Sequence, residues 1–193
     1  TMEDKNIIRK RILDKRNKLD KDFVVLSSDS IENKFISLEE YKKSNTIMSY
    51  MSFKNEVDTI KLIGKMLNEN KRVIIPYTNI DKLEIIPVEI KDLKNDLIYS
   101  KYGYLEPKKE NIVSVEVNKI DLIIVPGVVF DKNCNRIGFG KGYYDRLLIN
   151  KRKDANVIAL AYEFQVLKEI PFEEHDIKMD MIITEKSTYK SPV

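Results

Sequence analysis

The stretch IDLIIVPG at residues 120–127 carries four consecutive apolar side chains, Leu122, Ile123, Ile124 and Val125, and stops at a Pro-Gly pair. A short aliphatic run bounded by chain-breaking residues reads as a strand covered on both faces. NVIALAY (156–162) repeats the pattern, and TIMSYM (46–51) and MIIT (181–184) give shorter versions of it. Between these runs the apolar residues recur at helical spacing. Residues 3–20 place Ile8, Ile12 and Leu19 on one stripe. Residues 29–43 place Ile31, Phe35, Ile36 and Leu38 on another, with N-caps offered between Ser27 and Ser30. Residues 56–69, with Asn55 as cap, bury Val57, Ile60, Ile63, Met66 and Leu67. RVIIPY (72–77) and LEIIPV (83–88) are short strands that can pair across the TNID turn. A helix over 141–151 turns Tyr144, Leu147 and Leu148 inward, and a short helix is expected at 163–168. Residues 91–118 show no regular period, and YGYLEPKKE within them reads as an ordered loop. Strands interleaved with helices imply an α/β fold: a three-layer α/β/α sandwich around a largely parallel sheet, built as one domain over 1–193. Ligands of such sheets bind outside the carboxyl ends of the strands, which directs attention to the loop after Val125.

Composition excludes several classes of function. The chain has 193 residues, 42% hydrophobic and 34% charged, which describes a globular protein rather than a disordered one. No apolar run approaches the ~20 residues of a membrane-spanning helix. TMEDKNIIRKR at the N-terminus lacks an apolar leader core, so a cytoplasmic location and no membrane partner are expected. A net charge of +3, from 34 basic and 31 acidic residues, is too small to imply nucleic acid. No surplus amphipathic helix points to an oligomer, and a monomer is expected. With one cysteine, Cys134, and one histidine, His175, there is neither an intrachain disulfide nor a multi-histidine zinc site. Cys134 reads as an incidental thiol and His175 as a surface or structural residue. A metal, if one acts, has carboxylate ligands, which suits Mg²⁺ shared with phosphates.

Glycine is scarce, and three of the six glycines fall in Gly138-Phe139-Gly140-Lys141-Gly142. Glycines permit positive φ and let backbone N–H groups approach an anion without an intervening Cβ. A helix starting directly afterwards adds its positive end. The motif is neither a P-loop nor a dinucleotide fingerprint, because no G-x-x-x-x-G-K-[ST] is present and Tyr143 stands where G-x-G-x-x-G needs glycine. Local sequence leaves two readings, a structural turn and a phosphate loop. Arg136 and Lys141 favour the second, as does Asp145 one turn into the helix, although a carboxylate there also suits the helix dipole.

The segment VPGVVFDKNCNRIGFGKGYYDRLL (125–148) resembles the 5-formyltetrahydrofolate cyclo-ligase (methenyltetrahydrofolate synthetase) family, for which G-x-G-x-G-Y-Y-D is the specific core. The K-x-x-x-R of Lys5 and Arg9, MSFKNEVDT (51–59), YGYLEP (102–107) and PFEEHDIKMDMIITE (171–185) extend the likeness in family order along nearly the whole chain. Two positions depart from many relatives: Cys134 and Lys141 stand where glycine is common. The resemblance implies conversion of 5-formyltetrahydrofolate to 5,10-methenyltetrahydrofolate with ATP hydrolysed to ADP and phosphate and Mg²⁺ required. It implies a fold like the sugar-phosphate isomerase and CoA-transferase group.

On that resemblance, Lys5, Arg9, Arg136, Gly138, Gly140, Lys141, Gly142, Tyr143 and Tyr144 are candidates for binding ATP, with Lys141 and Arg136 as the catalytic charge partners. Asp145 and Asp180 are the Mg²⁺ candidates; for Asp180 a polar cap on the MIIT strand is the competing reading. Met51, Glu56 and Tyr143 are the folate candidates, since a thioether and an aromatic ring suit a flat pterin and a carboxylate accepts from its N–H groups. Taken singly they also read as a core methionine, a carboxylate at a helix start and a packed aromatic. Tyr144 also reads as core. Lys5 and Arg9 stand at i and i+4, with Arg16 seven residues on. Like charges so spaced repel, unless a polyphosphate neutralises them. Two other classes remain open from sequence: a nucleotide- or folate-binding protein without turnover, and a sugar-phosphate isomerase on a related fold.

Overall fold

The computed structural model describes residues 4–192. Its main sheet is built on the strands expected from the aliphatic runs: β1 (Thr46–Ser49), β2 (Arg72–Asn79), β3 (Glu84–Ile90), β6 (Leu122–Val125), β9 (Asn156–Leu160), β11 (Met181–Ile183) and β12 (Thr188–Lys190). Their order is β12-β11-β9-β6-β1-β2-β3. The five inner strands are parallel, and only the edges, β3 and β12, run antiparallel. β12 was not legible in sequence. It is three residues long and mostly exposed, the polar edge that keeps a sheet from pairing with another.

Alternation along the inner strands divides the core. Ile47, Val73, Leu122, Ile124 and Ile158 face a layer made by α2 (Lys21–Ile36), α3 (Glu39–Lys42) and α4 (Ile60–Asn68), which contribute Ile31, Phe35, Tyr41, Leu62, Ile63 and Met66. Met48, Ile74, Ile123, Val125 and Val157 face the other side. That second layer is thinner than a three-layer sandwich implies. It holds α5 (Tyr143–Leu148), with Leu147 and Leu148, and a small sheet of β7 (Val129–Asp131), β8 (Arg136–Ile137) and β10 (Val166–Leu167). Among the described residues, no helix is long and apolar enough to cross a membrane.

Several boundaries differ from the sequence expectation for physical reasons. α1 spans Lys5–Asn17, capped by Asp4; position 3 of the expected 3–20 helix lies outside the described residues. α2 begins at Lys21, eight residues before the expected start, because the Asp20 carboxylate accepts the Phe23 N–H at 2.9 Å and caps it. Exposed Val25 and Leu26 had blurred its period, and Ser27 and Ser28 are buried within it rather than capping it. α4 starts at Ile60, not 56, and Asn55 caps a different helix: its Nδ2 donates to the Arg16 and Leu19 carbonyls at the end of α1. In 91–118 the chain forms a small hairpin, β4 (Leu97–Tyr99) with β5 (Leu105–Pro107), so YGYLEP is in part strand. Residues 163–165 are a 3₁₀ turn leading into β10.

The β7–β8 turn shows how the chain does without a glycine. Cys134 takes the left-handed conformation itself, φ 69°. The Asp131 carboxylate holds it there by accepting the Asn133 and Asn135 N–H groups, each at 3.0 Å. A residue with a Cβ costs about 1 kcal/mol in this conformation.

Candidate active site

The chain leaves β1 for β2 on one side, then crosses from β3 back over to β6 on the other side of β1. Connections diverge between β1 and β6, and such a switch point opens a crevice at the carboxyl ends of the strands. Here β1 runs out into Tyr50 and Met51, and β6 into Pro126. These residues form part of a cleft of about 980 Å³.

One wall is α1. Its apolar face, Ile8 and Ile12, packs on Val128, Val129 and Ile137 of the small sheet. That docking turns the adjoining stripe, Lys5, Arg9 and Arg16, into the cleft. The glycine loop and the start of α5 form the second wall, and the tip half of the β2–β3 hairpin, with Thr78 and Ile80, the third. Phe53, Tyr102 and Tyr104 add an aromatic group to the lining: Tyr102 stacks on Tyr104 at 6.2 Å between centroids, and Phe53 meets Tyr104 edge-on at 6.0 Å.

Every candidate named from sequence lines this cleft except Asp180. Asp180 sits at the opposite, amino end of the sheet. Its carboxylate accepts the Val157 N–H at 2.7 Å and its own N–H donates to the Val157 carbonyl at 2.7 Å. It joins the start of β9 to the start of β11, as a polar cap does, and it does not line the cleft that holds Asp145. Among the described residues no three metal-capable side chains converge.

The glycine loop is organised around arginines. A Cβ on Gly138 would stand 2.8 Å from Arg136 Nη2, one on Gly140 within 3.6 Å of the Arg9 guanidinium carbon, and one on Gly142 2.8 Å from Arg146 Nη1. Gly140 and Gly142 also need their glycine for backbone reasons, with φ of +99° and +72°. Arg9 Nε donates to the Gly138 carbonyl at 2.7 Å, fixing the loop to α1. The backbone N–H groups of Phe139, Gly140, Lys141 and Gly142 donate to no described residue. The expected helix over 141–151 is reduced to the six residues of α5, so its dipole is small. Attraction for an anion therefore rests on the loop amides and the cationic side chains.

Those cations outnumber the anions. The lining holds six basic residues, Lys5, Arg9, Arg16, Lys54, Arg136 and Lys141, against Glu56, Asp145 and Asp176. Arg136 is the most enclosed of the loop cations, its side chain 6% exposed. Its Nε donates to the Pro126 carbonyl at 2.8 Å, its Nη1 lies 3.4 Å from Asp145, and its guanidinium covers the Tyr144 ring at 5.6 Å. Burial lowers its pKa from the usual arginine value, the mark of a cation without full compensation. Glu56 accepts the Phe53 N–H at 2.8 Å. Burial raises its pKa above the ordinary carboxylate value, opposed by the Arg16 charge. Burial likewise raises the Tyr144 phenol, reinforced by Glu56. Tyr144 thus combines packing with cleft lining, while Tyr143 lies beneath the Arg146 guanidinium at 5.7 Å.

The sequence assigns no site role to Phe53, Tyr102, Tyr104, Phe139 or Thr78 and names Arg16 only as a further charge beside Lys5 and Arg9; all six line the cleft. Arg16 carried a signal in its helical spacing from Arg9. The Tyr-Gly-Tyr of 102–104 carried another, since Gly103 at φ +96° makes the turn that presents both rings.

Comparisons with known proteins agree with this geometry. Residues 1–185 match the family model described as the 5-formyltetrahydrofolate cyclo-ligase family. A probable 5-formyltetrahydrofolate cyclo-ligase of Schizosaccharomyces pombe is 31% identical over 201 residues, covering 97% of this chain and 98% of its own length. The NMR structure of Aquifex aeolicus 5,10-methenyltetrahydrofolate synthetase superimposes with a TM-score of 0.83 at 34% identity, covering 96% of this chain and 92% of that one. The 5,10-methenyltetrahydrofolate synthetase of Mycoplasma pneumoniae gives 0.77 at 29% identity, covering 95% and 99%. A family match over nearly the full length, joined to a cleft at the switch point that gathers the motif residues, means that this chain belongs to the 5-formyltetrahydrofolate cyclo-ligase family of ligases.

Proposed function

We propose that the protein converts 5-formyltetrahydrofolate to 5,10-methenyltetrahydrofolate and hydrolyses ATP to ADP and phosphate as it does so. The observation that carries this reading is the polarity of one cleft. Its lining combines unpaired loop amides among Arg9, Arg136 and Lys141 with the aromatic group of Phe53, Tyr102 and Tyr104. The first suits a polyphosphate and the second the flat rings of a folate.

The chemistry needs no protein nucleophile. A formamide oxygen is a poor leaving group until it is phosphorylated. The formyl oxygen attacks the γ-phosphorus of ATP and ADP leaves with the bridging oxygen. The folate N10 then adds to the activated carbon and gives up its proton to solvent, and the C–O bond breaks to release phosphate. Phosphoryl transfer of this kind is positioning and charge neutralisation. Arg136 and Lys141 supply charge at the transferring group, Lys5 and Arg9 hold the rest of the polyphosphate, and the loop amides orient its oxygens. Arg136 is suited to this because it is buried and tied to Pro126, so it is ordered before substrate arrives. Met51, Glu56 and Tyr143 contact the folate, with Glu56 accepting from pterin N–H groups. Asp145, the carboxylate beside the glycine loop, would hold Mg²⁺ together with the substrate phosphates, and the ion would offset phosphate charge when bound.

The test is a spectral assay: the purified protein given 5-formyltetrahydrofolate should form the methenyl product, read by its near-ultraviolet absorbance, only with ATP and Mg²⁺ present. Binding without turnover would replace this reading with that of a non-catalytic folate- or nucleotide-binding protein. Metal-free isomerisation of a pentose or amino-sugar phosphate would replace it with that of a sugar-phosphate isomerase.

A further inference from the structure

Arg146 stands outside the cleft lining, yet it touches both of the walls that meet at the rim. Its Nε donates to the Leu83 carbonyl at the tip of the β2–β3 hairpin at 2.9 Å, and its Nη2 donates to the same oxygen. Nη2 also donates to the Lys141 carbonyl in the glycine loop at 2.8 Å. Nη1 fills the space that a Cβ on Gly142 would need, and the guanidinium plane covers Tyr143. A guanidinium spent on two main-chain carbonyls is a tie between backbones, and only a planar fork with several donors makes it.

The hairpin side of the tie carries an independent mark. Leu83 adopts φ +51°, a left-handed conformation that a γ-branched residue rarely takes, and its side chain is exposed, so packing does not account for it. What the conformation delivers is its carbonyl, to Arg146. Strained backbone of this kind persists where surrounding contacts over-determine it. The hairpin in turn brings Thr78 and Ile80 to the lining of the same cleft.

We infer that Arg146 is a positioning residue: by joining Leu83 to Lys141 it braces the β2–β3 hairpin against the glycine loop and sets the width of the nucleotide end of the cleft. The kinetic side of this inference rests on the proposed use of ATP; the brace itself does not.

Hydrogen exchange and kinetics together test it. Arg146→Ala and Arg146→Lys should both accelerate exchange in residues 76–87, although the substitution lies 63 positions along the chain from Leu83. Unchanged exchange there in both variants overturns the brace. Arg146→Lys keeps the charge but not the fork, so a lysine variant with wild-type exchange and kinetics also overturns it. Leu83→Pro approaches from the other side, since proline cannot adopt φ +51° and turns the carbonyl away without altering any cation. Both Leu83→Pro and Arg146→Lys should raise the KM for ATP on the order of tenfold with a smaller change in kcat. An unchanged KM for ATP in Leu83→Pro overturns the positioning role. Wild-type protein that turns nothing over refutes the proposed function, and the exchange result still decides the brace.

Discussion

The Arg136 guanidinium occupies the space that any side chain at position 138 would need: a Cβ there would stand 2.8 Å from Nη2. Gly138 has no positive φ, so its glycine is demanded by this one neighbour rather than by the backbone. Gly142 meets both demands at once, whereas Gly140 needs its glycine for the backbone alone, since a Cβ there would only touch Arg9 at 3.6 Å. The loop is therefore less a flexible hinge than a surface cut to fit Arg136, Arg9 and Arg146.

Replacing Gly138 by Ala should separate fit from fold. The backbone tolerates alanine, and the clashing atom is the far end of a side chain, so stability should change by no more than about 1 kcal/mol. Displacing the guanidinium from the transferring phosphate should lower kcat/KM on the order of a hundredfold. Thermal unfolding beside steady-state kinetics checks both halves. Wild-type turnover in Gly138→Ala would remove Arg136 from the reacting group.

Asp145 and Asp180 should behave oppositely. Asp145→Asn keeps the shape but removes the one loop carboxylate within the cleft, so the Mg²⁺ concentration for half-maximal rate should rise at least tenfold or turnover should vanish. Asp180→Asn should leave the Mg²⁺ dependence unchanged. It should cost about 1 kcal/mol of stability through the weakened bond to the Val157 N–H. A Mg²⁺ titration of each variant decides it.

That contrast shows what a sequence carries and what it leaves out. The aliphatic runs fixed the parallel strands, since a strand buried on both faces admits few other residues; LIIV of β6 was read at its true position. The glycine loop was legible because three glycines in five positions demand a reason in a chain otherwise sparing of them. Asp180 reads as a site residue because motif spacing does not say at which end of the sheet it lies, a fact of topology; the structure leaves it out of the cleft lining. The start of α2 was missed because exposed Phe23, Val25 and Leu26 break the period on which helix reading depends. The aromatic group of the cleft lining was missed because Phe53 and Tyr104 meet only once a hairpin, a loop and the main sheet are assembled.

Glu56 should make stability depend on pH with a defined sign. Its folded pKa lies above the ordinary carboxylate value because of burial. Between the unfolded and folded values the folded state binds more protons, so stability falls as pH rises through that window and stays lower above it. Glu56→Gln has no such proton to lose. The variant should therefore gain in Tm relative to wild type as pH rises from about 4 to 7, while its KM for the folate increases. Melting curves across that range check the sign; a difference that shrinks with rising pH would mean that Arg16 outweighs desolvation.

Tyr104 offers the clearest separation of the two parts of the cleft lining. It is the ring shared by both aromatic contacts, stacked with Tyr102 and edge-on to Phe53. Removing it takes away a flat apolar surface and loosens its two neighbours, while nothing at the glycine loop depends on it. An aromatic contact contributes about 0.5–1.5 kcal/mol beyond area burial, so Tyr104→Ala should raise the KM for 5-formyltetrahydrofolate roughly threefold to tenfold. The KM for ATP should stay within about twofold of wild type. Tyr104→Phe keeps the ring and should recover most of the loss, which assigns the effect to stacking rather than to the hydroxyl. If Tyr104→Ala instead raises the KM for ATP and spares that for the folate, the orientation of the two substrates in the cleft is the reverse of the one proposed.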